Sequence, residues 1–336
     1  MQESTIRIAL VGTGFMGRMH AQVYRQIGGC AVHHVLSLKG QTAEELAGKL
    51  GAEVAPDFDS ILANPDIDVV DICLPTDLHA PFSIRALQAG KHVLCEKPMA
   101  IDLESADQML AARDASGKTL MIAQCIRFWP EYVRLREIVK DGRLGNLRSL
   151  QLTRFGAFPT WSSEGWIGME PRSGGAALDM HIHDTDFVVD LLGEPDEVIS
   201  RGSVDERGVS RVFTLMRCGR TTVQLEGGWD LPSSAPFRMS FRAVFDQGLV
   251  MFDGGPLTIY RDGQAPEPVT DLPRMSAGDV GGNLSDLGGY FFEIDYFLRC
   301  IREGKPVDAS SPESSRQALA VALNEIGQVH HQGAHS

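Results

Sequence analysis

The sequence predicts an α/β first domain built on a parallel sheet, followed by an α+β domain with a large, open, mostly antiparallel sheet. Three observations carry that expectation. Over the first 125 residues, short apolar runs alternate with helical patterns. After about residue 145 the runs follow one another directly, joined by Gly, Pro and Asp-Gly turns. A glycine-rich turn links the first apolar run to the first helical pattern. Strands alternating with helices imply parallel βαβ units, because each crossover helix covers a sheet face.

The elements read in order as follows. Residues 6–11 form a buried strand and 15–27 a helix; 31–38 and 42–50 repeat the pair. A short helix at 60–63 closes at Asn64-Pro65, and the strand at 69–74 stops at Pro75. The helix at 81–89 ends on Gly90, a residue suited to the left-handed position after a helix. A strand at 92–95, a helix at 103–116 closed by Gly117, and a strand at 120–123 complete the first domain, 1–125. These strands are almost continuously apolar, as expected when both faces are buried.

In the second domain, 126–336, strands are expected at 149–155, 198–204, 212–217, 222–226, 238–245, 249–252 and 257–260. The clearest alternates strictly: Phe237, Met239, Phe241, Ala243 and Phe245 point one way, Arg238, Ser240 and Arg242 the other. That period of two marks a strand with one buried face. The sheet's open face then meets water or another subunit, giving an expected homodimer or homotetramer. Helices are expected at 176–192, 290–301 and 312–329, the last packing back on the body and possibly on the first domain.

Composition narrows the class. The 336 residues suffice for two domains at roughly 150 residues each. Asp plus Glu number 44 against 31 Lys plus Arg, a net charge of −13, which argues against nucleic acid or an anionic membrane as partner. No apolar run approaches the ~18 residues of a membrane span, and no secretory signal is expected at the start. The six cysteines form no Cys-x-x-Cys pair, so reduced thiols and a cytoplasmic location are expected.

Gly12-Thr13-Gly14-Phe15-Met16-Gly17 fits G-x-G-x-x-G in its required place, after an apolar strand and opening a helix. Gly12 permits the tight turn, Gly14 lets backbone approach a pyrophosphate, and Gly17 lets helix and strand pack closely. The helix N-terminus offers unpaired N–H groups to phosphate. This predicts a Rossmann dinucleotide-binding domain. The acid that usually bonds the adenosine ribose lies roughly 20 residues past the glycines. Here the second strand ends without one, and Ser37 and Lys39 stand in its place. A hydroxyl and an ammonium suit a 2′-phosphate, so NADP(H) is preferred, with NAD(H) possible and Lys39 as a solvated loop lysine the alternative.

Ligands in open α/β sheets bind outside the carboxyl ends of the strands. The strand at 69–74 delivers Pro75, Thr76 and His79 there, with His79 either touching cofactor or packing at a helix start. The next strand delivers Glu96, Lys97 and Pro98. An ammonium in that crevice donates to a substrate oxygen or lowers a hydroxyl's pKa.

The glycine turn, Pro75-Thr76-Asp77-Leu78-His79, the segment from Gly90 to Pro98 and the segment from Gly174 to His183 together resemble the Gfo/Idh/MocA oxidoreductases, which include glucose–fructose oxidoreductase and inositol dehydrogenase. Arg127-Phe128 and the turn from Gly142 to Gly145 extend the likeness over nearly the whole chain. The resemblance implies a Rossmann domain plus an open-faced α/β domain. It further implies that Lys97, Asp179 and His183 match the catalytic trio of inositol-dehydrogenase-like members, and that Ser37 and Lys39 are similar to residues of NADP-binding members.

Asp179 and His183 are four apart and Asp186 three further on, so a helix places them on one face. An imidazole moves protons near neutrality. Asp179 orients it or bonds a substrate hydroxyl, and Asp186 supports. Metal binding is not expected, because His181, two residues from His183, points away on a helix. Arg127 either holds a substrate oxygen or closes a salt bridge. Trp161 and Trp166 either stack on a sugar ring or pack in their loop. The expected function is hydride transfer between a nicotinamide and a secondary alcohol or ketone of a sugar, cyclitol or polyol. The alternatives are a glycosidase using the same cofactor transiently and a dinucleotide-sensing regulator.

Overall fold

Strands β1 (Ile6–Val11), β2 (Cys30–Leu36), β3 (Glu53–Val54), β4 (Val69–Ile72), β5 (His92–Glu96) and β6 (Leu120–Ala123) form one parallel sheet in the order β3-β2-β1-β4-β5-β6. The computed structural model describes residues 5–38, 43–160, 162–275 and 287–333. β1 lies between β2 and β4, and all its side chains except Arg7 are buried, as the apolar run predicts. The order reverses at β1 and β4, the switch point where this topology opens a ligand crevice.

Helices α1 (Phe15–Tyr24), α2 (Ala43–Leu50), α3 (Phe58–Ala63), α4 (His79–Gln88) and α5 (Leu103–Ser116) connect these strands. Local chemistry sets their ends. The Asp102 side chain accepts the Ser105 N–H at 2.7 Å and starts α5. Gly117, at φ 64°, ends it. Two expected strands are shorter than read: β2 stops at Leu36 and β4 at Ile72, so Ser37 and residues 73–75 lie in the turns beyond them.

The second sheet contains β7 (Leu147–Ala157), β8 (Glu197–Asp205), β9 (Gly208–Cys218), β10 (Thr221–Leu231), β11 (Arg238–Phe245), β12 (Gly248–Phe252), β13 (Thr258–Tyr260) and β14 (Glu267–Pro268). Its order is β14-β13-β12-β11-β7-β10-β9-β8. Only β7 and β10 pair in parallel; the other neighbours are antiparallel. The alternation expected in β11 holds from Phe241 onward, with Phe241, Ala243 and Phe245 buried and Arg242 exposed. Phe237 precedes the strand and is exposed.

Helices α6 (Pro130–Asp141), α7 (Glu170–Ser173), α8 (Ile182–Leu192), α9 (Gly288–Glu303) and α10 (Pro312–Gly333) complete the chain. No helix was expected at α6. Its start is set by Pro130 in the first turn, a position that wastes no backbone donor, and its end by Gly142 at φ 68°. The helix expected at 176–192 is also different. Ala177–His181 form a π-helical turn, and the α-helix proper begins at Ile182.

The chain divides into two units. The first comprises residues up to Cys125, the short stretch 162–164, Met275 and 287–316. The second comprises 126–160, 165–274 and the chain from Gln317 onward. Sequence reading assigned all of 126–336 to the second domain; here 287–316 groups with the first, because α9 packs on α1. No described helix is long and apolar enough to cross a membrane.

Candidate active site

The glycine turn has the geometry its motif requires. Gly12 adopts φ +110°, and a Cβ there would lie 2.2 Å from the Cys73 carbonyl oxygen. A Cβ on Gly17 would lie 2.0 Å from the Gly12 carbonyl oxygen, so α1 rests directly on the turn. Gly14 differs: it is exposed, and a Cβ there would meet nothing within 4 Å. It is the N-cap of α1, with no side-chain cap and no acid in the first turn. The start of α1 therefore turns the positive end of the helix dipole toward an anion, with no carboxylate in its first turn to repel it. Phe15 and Met16 flank the turn half-buried. These features fit a dinucleotide pyrophosphate.

Ser37 follows β2, and its hydroxyl accepts from Thr13 Oγ1 at 3.1 Å, beside the glycine turn. Lys39 lies outside the described residues. Pro75 precedes a 3₁₀ turn, Thr76–Leu78, in which Thr76 is buried. Lys97 follows β5 at the same carboxyl edge of the sheet and is half-buried.

Two residues expected at the cofactor have buried side chains that bond within the protein. His79 is buried, with Nδ1 2.7 Å from the Pro98 carbonyl and Nε2 2.8 Å from the Leu74 carbonyl, so both ring nitrogens are spent on main chain. This is the packing alternative at a helix start. Glu96 is also buried. Its Oε1 lies 3.0 Å from His20 Nε2, and its Oε2 accepts the Lys97 N–H at 3.1 Å.

His20 belongs to a buried network that sequence reading missed. Its Nδ1 lies 2.8 Å from Asp71 Oδ2, which also accepts Tyr24 Oη–H at 2.8 Å. Burial works against the imidazolium, but Asp71 beside it, with Cys73, holds its pKa well above the ordinary value. Burial pushes the pKa of the Glu293 carboxyl of α9 well up, and Glu96 adds to the effect. An aspartate inside an apolar strand and a histidine eight residues after Gly12 were the available signals. His20, Asp71 and Cys73 also have metal-ligand spacing, which the ring's hydrogen-bonded contacts account for.

In the second unit the π-helical turn lies against β10. A Cβ on Gly227 would come within 2.6 Å of His181 Nδ1. Four buried pairs hold the turn and α8. His181 Nε2 lies 3.1 Å from Glu325 Oε1, and Thr185 Oγ1 donates to Glu325 Oε2 at 2.9 Å. Arg154 Nη2 donates to Asp184 at 2.9 Å. Arg127 donates to Asp186 from Nε at 2.8 Å and Nη2 at 2.6 Å. Burial opposes the Arg127 charge, but Asp186 more than offsets it and raises its pKa.

Arg127 closes the salt bridge of the two readings, with its side chain fully buried. Asp186 does not share the half-exposed face with Asp179 and His183, because it turns inward to Arg127. Asp179 and His183 are both half-buried at the start of the helical segment. His181 and Asp186 have partners of their own, away from any shared metal. Trp166 packs against the cluster of Ile167, Ala176 and Trp229, the loop-packing alternative. Trp161 lies outside the described residues.

A glycine-turn helix on a 3-2-1-4-5-6 parallel sheet, in a chain with a second, larger mixed sheet, is the arrangement of a dinucleotide-binding Rossmann fold joined to a further unit. Residues 6–124 match the NAD-binding Rossmann fold of the GFO/IDH/MocA oxidoreductase family, and residues 132–251 match that family's C-terminal domain. The chain belongs to this family. It is 36% identical over 190 residues to inositol 2-dehydrogenase of Rhizobium meliloti (strain 1021), covering 56% of each chain. It is 32% identical over 235 residues to D-glucoside 3-dehydrogenase of Escherichia coli (strain K12), covering 68% of this chain and 64% of that one. These matches span less than two thirds of either relative's length. The solved UDP-N-acetylglucosamine 3-dehydrogenase from Acidithiobacillus ferrooxidans superposes with a TM-score of 0.79 at 27% identity, covering 97% of this chain and 98% of that one.

The glycines make separable predictions. Gly14→Val, at φ −70° with open space around it, keeps a near-wild-type Tm but weakens NAD(P)H binding by about tenfold or more, read by nucleotide fluorescence. Gly12→Ala instead destabilises the fold by at least about 3 kcal/mol in denaturant titration, because its Cβ meets backbone.

Proposed function

We propose that the chain moves hydride between a nicotinamide cofactor and a secondary alcohol or ketone of a sugar, cyclitol or related polyol. One observation carries this reading. A single sheet bears an uncapped glycine-turn helix after β1 and a half-buried lysine after β5, two strands away. Relatives named for inositol and glucoside oxidation support the substrate class.

Hydride exchange at a carbinol carbon is the chemistry that a bound nicotinamide supplies. Lys97 polarises the substrate oxygen as a charged donor. His183 takes or returns the hydroxyl proton, as an imidazole does near neutrality. Asp179, one turn earlier, orients His183 or bonds a neighbouring hydroxyl. Lys97→Ala and His183→Ala each cut turnover by about 10²–10⁴-fold, with NAD(P)H affinity retained, in a screen of sugars and inositols followed at the nicotinamide absorbance. Full turnover in both variants overturns the assignment.

NADP(H) is the preferred cofactor in this proposal, because β2 is followed by Ser37 where an acid would repel a 2′-phosphate, with Lys39 two residues further on. The expected result is a lower Michaelis constant for NADP⁺ than for NAD⁺; equal constants remove the preference.

The open sheet supports a homodimer or homotetramer. Ile199 of β8 pairs with Leu215 of β9, and Phe213 points the same way two residues on. They are 44%, 49% and 44% exposed, an apolar patch that a second copy would cover. Leu215→Glu lowers the assembly state in light scattering while leaving the monomer folded. The six free cysteines fit a reducing, cytoplasmic location.

A further inference from the structure

Glu96, Lys97 and Pro98 are gripped from two sides by buried histidines. On one side, His20 of α1 bridges Asp71 at 2.8 Å and Glu96 at 3.0 Å, and the other Glu96 oxygen takes the Lys97 N–H at 3.1 Å. On the other, His79 of α4 joins the Pro98 carbonyl at 2.7 Å to the Leu74 carbonyl at 2.8 Å. His79 thus ties the chain leaving β5 to the chain leaving β4. Carboxylate and carbonyl oxygens only accept hydrogen bonds. A ring that donates to both its oxygens therefore carries two protons, since a neutral imidazole has one N–H and one lone pair.

The two rings sit in different fields. His20 faces Asp71 and Cys73 at the end of β4, Glu96 of β5, Glu293 of α9 and Tyr24 on its own helix. Burial opposes its charge, yet the acids outweigh burial and the pKa is raised. His79 faces Glu96 and Lys97 together with the two carbonyls. There burial dominates and lowers the pKa, with the carbonyls and Glu96 pulling the other way and Lys97 adding to burial.

Resting on the reading of Lys97 as the proton-handling lysine, we propose that His20 and His79 are its positioning residues. His20 is a permanent clamp acting through Glu96. His79 is a pH-dependent clamp that holds both carbonyls while doubly protonated and releases one when it loses a proton. Neither ring touches substrate in this role. The consequence is a Lys97 whose orientation loosens as pH rises through the His79 transition, while the Glu96 side of the grip persists.

The test uses the full chain labelled with ¹⁵N-histidine. NMR of the ring nitrogens follows protonation from about pH 5 to pH 9. In parallel, limited acetylation of Lys97 is read by mass spectrometry, with exposed Lys140 as the control. His20 is expected to stay doubly protonated through neutrality. His79 is expected to lose one proton on the acid side, with a step in Lys97 acetylation at the same pH that Lys140 lacks. His79→Asn removes the step, and Glu96→Gln shifts Lys97 reactivity by about tenfold, equivalent to one pKa unit, at unchanged NADH affinity. A singly protonated His20 at pH 7, or a His79 transition with no Lys97 step, overturns the proposal. If either variant fails to fold, the wild-type titration alone decides. These readouts need no turnover, so loss of the Lys97 catalytic assignment through an active Lys97→Ala is a separate result.

Discussion

The first unit depends on one buried cluster, His20 held between Asp71 and Glu96. The three residues come from three adjacent elements, α1, β4 and the end of β5. That linkage fixes the helix that opens on the glycine turn and the strand end that carries Lys97 in a single frame. A charge buried this completely is tolerated only when opposite charges and hydrogen bonds surround it. Here two carboxylates do so, and burial pushes the pKa of the nearby Glu293 carboxyl of α9 well up. The −13 charge of the chain says nothing of this arrangement; the local balance at the site decides what it binds.

The second unit solves a similar problem along one helical segment. His181, Asp184 and Asp186 are all buried, and each meets a partner: Glu325, Arg154 and Arg127. Breaking such a pair from one side leaves an uncompensated charge, at a cost of about 3–5 kcal/mol. The pairs lock the rotation of the segment. Asp179 and His183 of the same segment are half-buried. The π-helical turn at Ala177–His181 carries Asp179 and presses onto Gly227, where any side chain would collide with His181. π-turns recur at functional positions because an extra residue re-aims the side chains around it.

Much of this was legible in the sequence. Apart from the two-residue edge strand β3, the order of strands and helices through residue 123 follows from apolar period, proline stops and glycine ends, and α5, β6 and β11 have the bounds read from pattern alone. The glycine turn was legible because each glycine answers a steric demand within a few residues or at one neighbouring strand. Helix α6 was not, since Arg127 to Pro130 reads as a loop until its proline is seen as a helix start. Glu96 and His79 looked like ligand contacts because they stand at strand ends. Their side chains turn inward, and nothing in their spacing shows that.

The sequence by itself determined the α/β class, the change to an antiparallel sheet, the phosphate-binding turn and the presence of Lys97, Asp179 and His183. All rest on patterns within a turn or two of chain, where period and sterics act. Only the tertiary structure decided which polar groups are spent on the fold and which remain for chemistry. His20 finds Asp71 51 residues away and Glu96 76 away, and Arg127 finds Asp186 59 away. Such pairs form because burial makes an unmatched charge too costly. Burial is a property of the packed molecule, which no local pattern records.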